Sequence, residues 1–247
     1  MNAAGADRGY YRGRFPPGFF AHLFKAIFKQ HHRALLPLLR RVLPADSIVF
    51  DVGAHAGQYA KLFARLAPNG FVYAFEPQSY ARRILRIALR LNRLRNVAIL
   101  PFGLGDRGGV ALLNIPVKAS GSYGFGLAHL GAASRHGESE LVAIATIDQA
   151  VAALGLGRLD FIKADIEGFE QRMLEGGSGT LARFKPALLI ELNGEHLARA
   201  GGSVDGLWRM LTDLGYAAFE TGVTRDLIPI TAPRQGDVLF LARPPQP

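Results

Sequence analysis

The sequence contains no cysteine in its 247 residues. Disulfide bonds and cysteine-ligated zinc are therefore excluded, and the chain is long enough to bury the core of one large domain. It also contains no apolar run close to the roughly 20 residues that a membrane-spanning helix needs. The first 18 residues lack the apolar stretch of a secretory signal, so we expect a cytoplasmic protein.

Acidic residues are missing from two stretches that are rich in basic residues. Residues 8–41 and residues 82–95 hold no aspartate or glutamate, and the net charge of the chain is +9. Such patches attract anions, including nucleic acid, lipid headgroups and phosphorylated substrates, although a solvated basic face also explains them. The second stretch lacks the interleaved aromatic residues on which single strands usually stack, so nucleic-acid binding is not expected.

The chain is predicted to begin with a basic extension over residues 1–45, followed by the principal domain over residues 46–247. Within the extension, residues 18–43 carry apolar side chains at helical spacing. The apolar face consists of Phe20, Leu23, Phe24, Ile27 and Phe28. Pro37 is expected to break or bend this stretch, and residues 1–17 to form a loose tail. The helix either caps the core or makes peripheral contact with an anionic membrane surface.

Strands and helices alternate from Ser47 onward, which predicts an α/β fold with a mostly parallel, seven-stranded sheet and helices on both faces. The predicted strands of this sheet are 48–52, 71–75, 97–102, 161–164, 187–192, 216–220 and 238–242. Residues 110–115 and 141–145 interrupt the alternation and predict an inserted β arm around a loop rich in glycine and serine. Ser79 is expected to cap one helix, and Thr146 with Gln149 to form a capping box on another.

The first strand runs directly into the segment DVGAHAG at residues 51–57. Glycines at a strand-to-helix turn let the backbone approach a ligand closely, and ligands of such sheets bind at the carboxyl ends of the strands. A dinucleotide motif starting at Gly53 would need glycine where His55 and Gln58 stand. Asp51 would repel phosphate but would attract a cationic amino group or sulfonium. The turn therefore favours S-adenosyl-L-methionine over NAD.

Further candidate cofactor contacts follow the next two strands. Glu76 ends the second strand, where a carboxylate can accept hydrogen bonds from both ribose hydroxyls. Gly103 and Leu104 follow the third strand, where Leu104 could cover an adenine ring. Asp106 either contributes to this adenine site or caps the turn. Tyr59, at the start of the first helix of the domain, is assigned to the same predicted site.

A cluster of charged residues follows the strand at residues 161–164. Lys163, Asp165 and Glu167 gather at a strand end that would face a transferable methyl group. An alcohol is a poor nucleophile while protonated, so Asp165 or Glu167 could act as the base in hydroxyl methylation. The two carboxylates could also hold a divalent cation, although no metal is predicted. A turn in which Lys163 is a salt-bridge partner is the structural alternative.

The substrate side of the predicted site follows the strand at residues 187–192. The residues expected there are Glu191, Asn193, Glu195 and His196. The pair His31–His32 has no acidic neighbours and is interpreted as surface. Residues 114–140 and 193–202 are the least regular stretches, and we expect them to select the acceptor.

Six segments, in their order and spacing, resemble the FkbM family of methyltransferases. They are VFDVGAHAGQYA, YAFEP, the GLGD turn, TIDQAV, FIKADIEGFE and ALLIELN, and the resemblance covers about residues 46 to 242. It implies a Rossmann-like class I methyltransferase that uses S-adenosyl-L-methionine and typically methylates a hydroxyl of a sugar or natural product. It also implies cofactor contacts at Asp51, Gly53, Gly57 and Glu76, with Asp165 and Glu167 in the active-site turn. The acceptor would then be a small molecule or a glycan.

Two other function classes stay open at this point. An NAD-dependent oxidoreductase could use the same scaffold, although the incomplete glycine motif disfavours it. An RNA-binding protein or RNA methyltransferase could use the basic stretch at residues 82–95.

Overall fold

A computed structural model describes residues 18–116, 129–130, 137–222 and 226–242. Its helices are α1 (Phe19–Phe28), α2 (Leu36–Val42), α3 (Gln58–Leu66), α4 (Ser79–Leu91), α5 (Ile147–Ala153), α6 (Glu170–Glu175), α7 (Ser178–Phe184), α8 (Gly194–Arg199) and α9 (Val204–Asp213). Its strands are β1 (Ile48–Val52), β2 (Phe71–Phe75), β3 (Val97–Leu100), β4 (Phe102–Leu104), β5 (Gly109–Pro116), β6 (His129–Leu130), β7 (Gly137–Ala145), β8 (Phe161–Ala164), β9 (Ala187–Leu192), β10 (Ala217–Glu220), β11 (Pro229–Ile230) and β12 (Gly236–Leu241).

The principal sheet has eight strands in the order β11-β10-β12-β9-β8-β1-β2-β3. The five strands from β9 to β3 run parallel, whereas β12, β10 and β11 pair antiparallel. The expected α/β fold is confirmed, but the expected count of seven strands is wrong. One difference is the short strand β11, which the sequence pattern did not reveal. Another is that Phe102, the predicted end of the third strand, belongs to a second sheet.

The inserted arm forms a second sheet, with strands in the order β4-β7-β5-β6. Strands β5 and β7 pair antiparallel from Gly109↔Ile144 to Pro116↔Gly137. The predicted strand over residues 97–102 is instead two strands separated by Pro101, which has no N–H for a ladder hydrogen bond. Most of the loop between the arm's strands, including SGSYGFG, lies outside the described residues.

The core lies on both faces of the parallel strands, because successive side chains of a strand point to opposite faces. On β1, Phe50 and Val52 join one buried cluster while Val49 joins the other. The first cluster contains residues of α5, α6, α7 and α9, and the second contains residues of α2, α3 and α4. This layering leaves the carboxyl ends of β1, β2 and β8 together at one edge of the sheet.

The amino-terminal helix α1 packs against α4 of the principal domain. Phe19 and Ala26 are buried in a third cluster together with Tyr80 and Ile84 of α4. The predicted apolar face is divided in the structure, because Leu23 and Ile27 approach this cluster while other aromatic side chains face solvent. The exposed ones are Phe20, Phe24 and Phe28.

The expected effect of Pro37 is wrong. The chain leaves α1 at Lys29, and His32 adopts a left-handed φ of 59°. Pro37 instead lies in the first turn of α2, where a missing N–H costs no intrahelical hydrogen bond.

The two predicted helix caps have different outcomes. The capping box of Thr146 and Gln149 is confirmed, with both reciprocal hydrogen bonds at 3.0 Å. Ser79 is not an N-cap but the first residue of α4. Its N–H and hydroxyl donate to the carboxylate of Glu140 in β7, which therefore supplies the negative charge at this helix terminus.

Candidate active site

The turns after β1 and β8 are in direct contact at the edge of the sheet. Gly53 has a φ of 72°, and a Cβ atom at this position would lie 2.1 Å from the carbonyl oxygen of Asp165. Any other residue at position 53 would therefore adopt a strained φ, and its Cβ atom would clash with the main chain of Asp165. His55, two residues further along, also adopts a positive φ of 47°. The glycine at position 53 is explained by this close approach of the two turns.

Glu76 is fixed at the end of β2 by backbone donors. The N–H of His55 donates to Oε2 at 2.7 Å, and the N–H of Gln78 donates to Oε1 at 2.8 Å. The side chain is buried, yet each carboxylate oxygen can accept more than one hydrogen bond. Glu76 therefore remains able to accept bonds from a diol in the adjacent cleft.

A cleft opens between these turns and is largely apolar. Six of the predicted cofactor residues line this cleft. They are Gly53, His55, Glu76, Gly103, Leu104 and Asp165. The remaining lining residues are Val52, Phe75, Pro77, Leu113, Ile166, Glu167 and Phe169. Most of the apolar lining was missed by the sequence reasoning, although Ile166 and Phe169 belong to the recognised FIKADIEGFE segment.

Lys163 lies beneath the two turns as a buried cation. Its Nζ donates to the carbonyl oxygens of Gly53 at 3.1 Å and Val52 at 3.3 Å, and it lies 3.7 Å from carboxylate oxygens of Asp51 and Asp165. Burial disfavours its charge, but Asp165 and Asp51 outweigh burial and raise the pKa of Lys163. A lysine that keeps its proton cannot act as a base, so this geometry suits a positioning role.

Asp51 is fully buried at the end of β1, in register with Lys163 on β8. Neither carboxylate oxygen accepts a hydrogen bond from a described residue. Burial raises the pKa of Asp51, against the opposing effect of Lys163. A buried carboxylate with unused acceptor capacity favours a further cationic group nearby, which fits the charge of a sulfonium or an α-amino group.

The side chains of Asp165 and Glu191 interact as an acidic pair, and Asp165 also lies beside Lys163. Burial opposes ionisation of Asp165, but Lys163 and His55 outweigh burial and hold its pKa below the ordinary value. Burial, followed by the charge of Asp165, raises the pKa of Glu191 to about 8. Asp237 faces Glu191 across β9 and β12, and burial raises its pKa as well. The sequence did not reveal Asp237 as a site residue, because it directly precedes a predicted apolar strand and carries no other signal.

The turn after β8 is held by its own glutamate. Oε1 of Glu170 accepts the N–H of Ile166 at 2.8 Å and the N–H of Gly168 at 3.4 Å. Glu167 adopts a left-handed φ of 57°, and its Oε2 lies 3.0 Å from Nδ1 of His196. The turn therefore holds Glu167 against His196, which the sequence predicts to lie on the substrate side.

Four of the predicted cofactor residues do not line the cleft. Asp51 is buried beneath it, and Gly57 is the N-cap of α3 with a φ of 86°. Tyr59 instead lines a neighbouring cavity, where its ring stacks on His32 with centroids 4.1 Å apart. Asp106 is exposed on the turn beyond β4. A cofactor contact at Asp106 therefore has no support in this geometry.

Two kinds of site are not found among the described residues. No group of three or more histidine, cysteine, aspartate or glutamate side chains could hold a metal ion there. Within the same ranges, no helix has the length and apolar character required to cross a bilayer.

Known proteins resemble this chain in sequence or in fold. The family model described as "Methyltransferase FkbM domain" matches residues 51–218. The chain belongs to the FkbM methyltransferase family. Its Rossmann-like fold is shared by the FkbM methyltransferase of Methylobacillus flagellatus, which is 19% identical with a TM-score of 0.52. That match covers 80% of this FkbM-family chain and 44% of the other protein.

Two further relatives extend the comparison. Cofactor-bound Rv0187 from MTB has a TM-score of 0.53 at 15% identity, and the match covers 92% of this chain and 88% of that protein. The antimetabolite synthetase AmbE of Pseudomonas aeruginosa is 26% identical over 76% of this chain. The FkbM-family chain spans only 10% of the length of AmbE.

Proposed function

We propose that this protein is an S-adenosyl-L-methionine-dependent methyltransferase that methylates a hydroxyl group of a sugar or natural product. The observation that carries the proposal is the cleft beside the contacting turns that follow β1 and β8, which is lined by both Glu76 and Asp165. Membership of the FkbM family supports methyl transfer. The resemblance to an antimetabolite synthetase is consistent with a natural-product acceptor.

The cleft matches the parts of this cofactor. Glu76 would accept hydrogen bonds from the ribose hydroxyls, and Leu104 would pack on the adenine beside Gly103. Asp51 and Asp165 would favour the positive charge at the sulfonium and amino group. NAD fits less well, because its pyrophosphate is anionic and would lie against the carboxylates of this cleft. Proteins that bind NAD place a glycine-rich turn and a helix N-terminus at that position.

The acceptor hydroxyl would lie against Asp165. When bound, S-adenosyl-L-methionine supplies an electrophilic methyl group. Asp165 would hold the hydroxyl oxygen in line with that methyl group and accept the hydroxyl proton. Glu167 and His196 would orient the rest of the acceptor. Positioning of this kind can supply about 7–11 kcal/mol of a reaction barrier. Because Lys163 and His55 lower its pKa, Asp165 is ionised at neutral pH.

The test is to measure binding and turnover separately. Calorimetry should detect binding of S-adenosylhomocysteine and none of NADH. Asp165→Asn should lower consumption of S-adenosyl-L-methionine with a panel of sugar and polyketide acceptors by at least about a hundredfold, a larger loss than the one it causes in affinity for S-adenosylhomocysteine. Unchanged turnover in this variant would remove Asp165 from its role, and binding of NADH alone would favour an oxidoreductase. Salt-sensitive binding of RNA would support an RNA methyltransferase instead.

A peripheral membrane contact is supported by one specific observation. Phe24 and Phe28 of α1 are exposed, and Lys25 of this helix and Lys29 at its C-cap carry positive charge. A helix of this kind can lie on an anionic bilayer surface. The protein should cosediment with vesicles containing phosphatidylserine and not with phosphatidylcholine alone. The double variant Phe24→Ala, Phe28→Ala should abolish sedimentation, and unchanged sedimentation would exclude this helix as the contact.

A further inference from the structure

A second cavity of about 230 Å³ adjoins the cleft. Gly53, His55 and Asp165 line both spaces, so the two spaces meet where the methyl group would be transferred. The opposite wall comes from the amino-terminal segment, which precedes the match to the family at residues 51–218. The residues that this segment contributes are His22, Lys25, Ala26, His31 and His32.

This amino-terminal wall, residues 22–32, is fixed to α3 by polar contacts. The buried ammonium group of Lys61 donates to the carbonyl oxygens of Ala26 at 2.5 Å and Lys29 at 3.1 Å. The side chain of Gln30 donates to the carbonyl oxygen of Gln58 at 2.8 Å, and the side chain of Gln58 accepts the N–H of His31 at 3.1 Å. These contacts satisfy carbonyl groups at the end of α1 and hold the wall beside the turns.

The charges of the two spaces are complementary. The cleft is lined by the carboxylates of Glu76, Asp165 and Glu167 and by no lysine or arginine. Lys25 lines the cavity, and its ammonium group has no hydrogen bond or ion pair with a described residue. Lys163 also lines the cavity, but it is already paired with Asp51 and Asp165. Lys25 is therefore the lysine that remains available to an anion in the cavity.

We propose that Lys25, with the histidines of the amino-terminal wall, binds the carboxylate of the cofactor's amino-acid tail. This inference rests on the proposed use of S-adenosyl-L-methionine. The tail is a zwitterion, and its amino group would lie toward Asp165 at the junction of the two spaces. Its carboxylate would then enter the cavity, where a charge-assisted hydrogen bond with Lys25 would fix it. The amino-terminal wall thus completes the cofactor site from outside the residues that the family model matches.

The test compares two ligands that differ only in this tail. S-adenosylhomocysteine carries the amino-acid group, whereas 5′-methylthioadenosine carries the same nucleoside and thioether without it. Both are titrated by calorimetry into the full chain, the Lys25→Ala and Lys25→Arg variants, and the control Lys29→Ala. Lys29 is exposed at the C-cap of the same helix, and its side chain does not line the cavity.

We expect Lys25→Ala to weaken binding of S-adenosylhomocysteine about tenfold, the usual order for a lost charged hydrogen bond. Affinity for 5′-methylthioadenosine should stay unchanged, Lys25→Arg should restore most of the loss, and Lys29→Ala should match the wild type. Equal losses for both ligands would indicate a merely structural role and overturn the proposal, as would no loss for either.

The same titrations separate this proposal from the one on which it rests. Wild-type protein that binds neither nucleoside would contradict the proposed function and the inference together. Protein that binds both nucleosides, with an affinity that Lys25→Ala does not change, would overturn only the inference. In that case glucose 6-phosphate, titrated against glucose, would reveal whether Lys25 binds an anionic acceptor instead.

Discussion

The strand-end turns and the amino-terminal wall enclose the same site, but different interactions fix them. The turns are determined by backbone geometry, with left-handed residues at Gly53, His55 and Glu167 and a buried lysine beneath them. The wall is an ordinary helix and turn whose carbonyl groups are bound by side chains of α3. The turns can therefore tolerate little substitution, whereas the wall can change its exposed side chains without losing its conformation.

This difference separates the part of the site inside the family match from the part outside it. The family match covers the turns and omits the wall. A change in the turns should therefore affect any cofactor chemistry, whereas a change in the wall should affect affinity or the choice of ligand. The following four variants test this distinction.

Gly53→Ala should have the largest effect. The new Cβ would lie 2.1 Å from a backbone oxygen of Asp165, and no side-chain rotation could relieve the clash. We expect calorimetry to detect no binding of S-adenosylhomocysteine. The control is Gly155→Ala, since Gly155 has a similar φ of 62° but open space around it. That control should lose only about 1–2 kcal/mol of stability. Similar effects of the two substitutions would refute the close approach of the turns.

Lys163→Met should destabilise the fold by about 3–5 kcal/mol at neutral pH, because it leaves buried carboxylates without their cation. Urea unfolding measures this loss, with Lys29→Met as an exposed control. The lowered pKa of Asp165 contributes stability above its unfolded pKa and loses it as the pH falls. The deficit of the variant should therefore shrink toward acidic pH. A deficit that stays constant with pH would show that Lys163 acts through packing alone.

Lys61→Met should loosen the wall and spare the turns. Two carbonyl groups at the end of α1 would lose their donor, at a cost of about 1–3 kcal/mol for each buried group. Hydrogen exchange should become faster in residues 22–32 and remain slow in β1 and β8. Arg90→Met, on the exposed side of α4, serves as the control. Faster exchange across the whole sheet would mean that the wall and the turns are one cooperative unit.

Glu191→Gln should have the smallest effect, confined to the pH dependence of stability. A carboxyl group whose pKa is raised on folding contributes stability at low pH that is lost as the pH rises through the folded pKa. For Glu191 this window runs from its ordinary value of 4.5 to about 8. The variant should therefore have the higher melting temperature at pH 8 and above, whereas Glu195→Gln should follow the wild type. A wild-type profile in Glu191→Gln would contradict the raised pKa.

Much of the fold was predictable because its signals are local. The strands at residues 48–52 and 71–75 and the capping box at Thr146 depend on short runs of sequence, and the structure confirms them. Ser79 was mispredicted because its true partner, Glu140, lies 61 residues away. The division of residues 97–104 into two sheets likewise depends on pairing with the distant strand β7.

The candidate site shows the same limit. Glu76 and Asp165 follow buried strands, and the rule that ligands bind at strand ends found both of them. Leu113 reaches the cleft from the inserted arm, and Asp237 faces Glu191 across an antiparallel pair, so neither has a local signal. His32 was interpreted as a surface residue, and it is exposed in the structure. It nevertheless lines the cavity, because its ring stacks on Tyr59.

The hydrogen bonds of Glu170 have a consequence for reading other genomes. This glutamate holds the amides of Ile166 and Gly168, and so serves the backbone and not the reaction. Under the proposed role of Asp165 as the base, a homologue that keeps the counterparts of Lys163 and Glu170 but has lost that of Asp165 is expected to fold and bind the nucleoside without turning it over. Sequence surveys could identify such pseudoenzymes from that single replaced position.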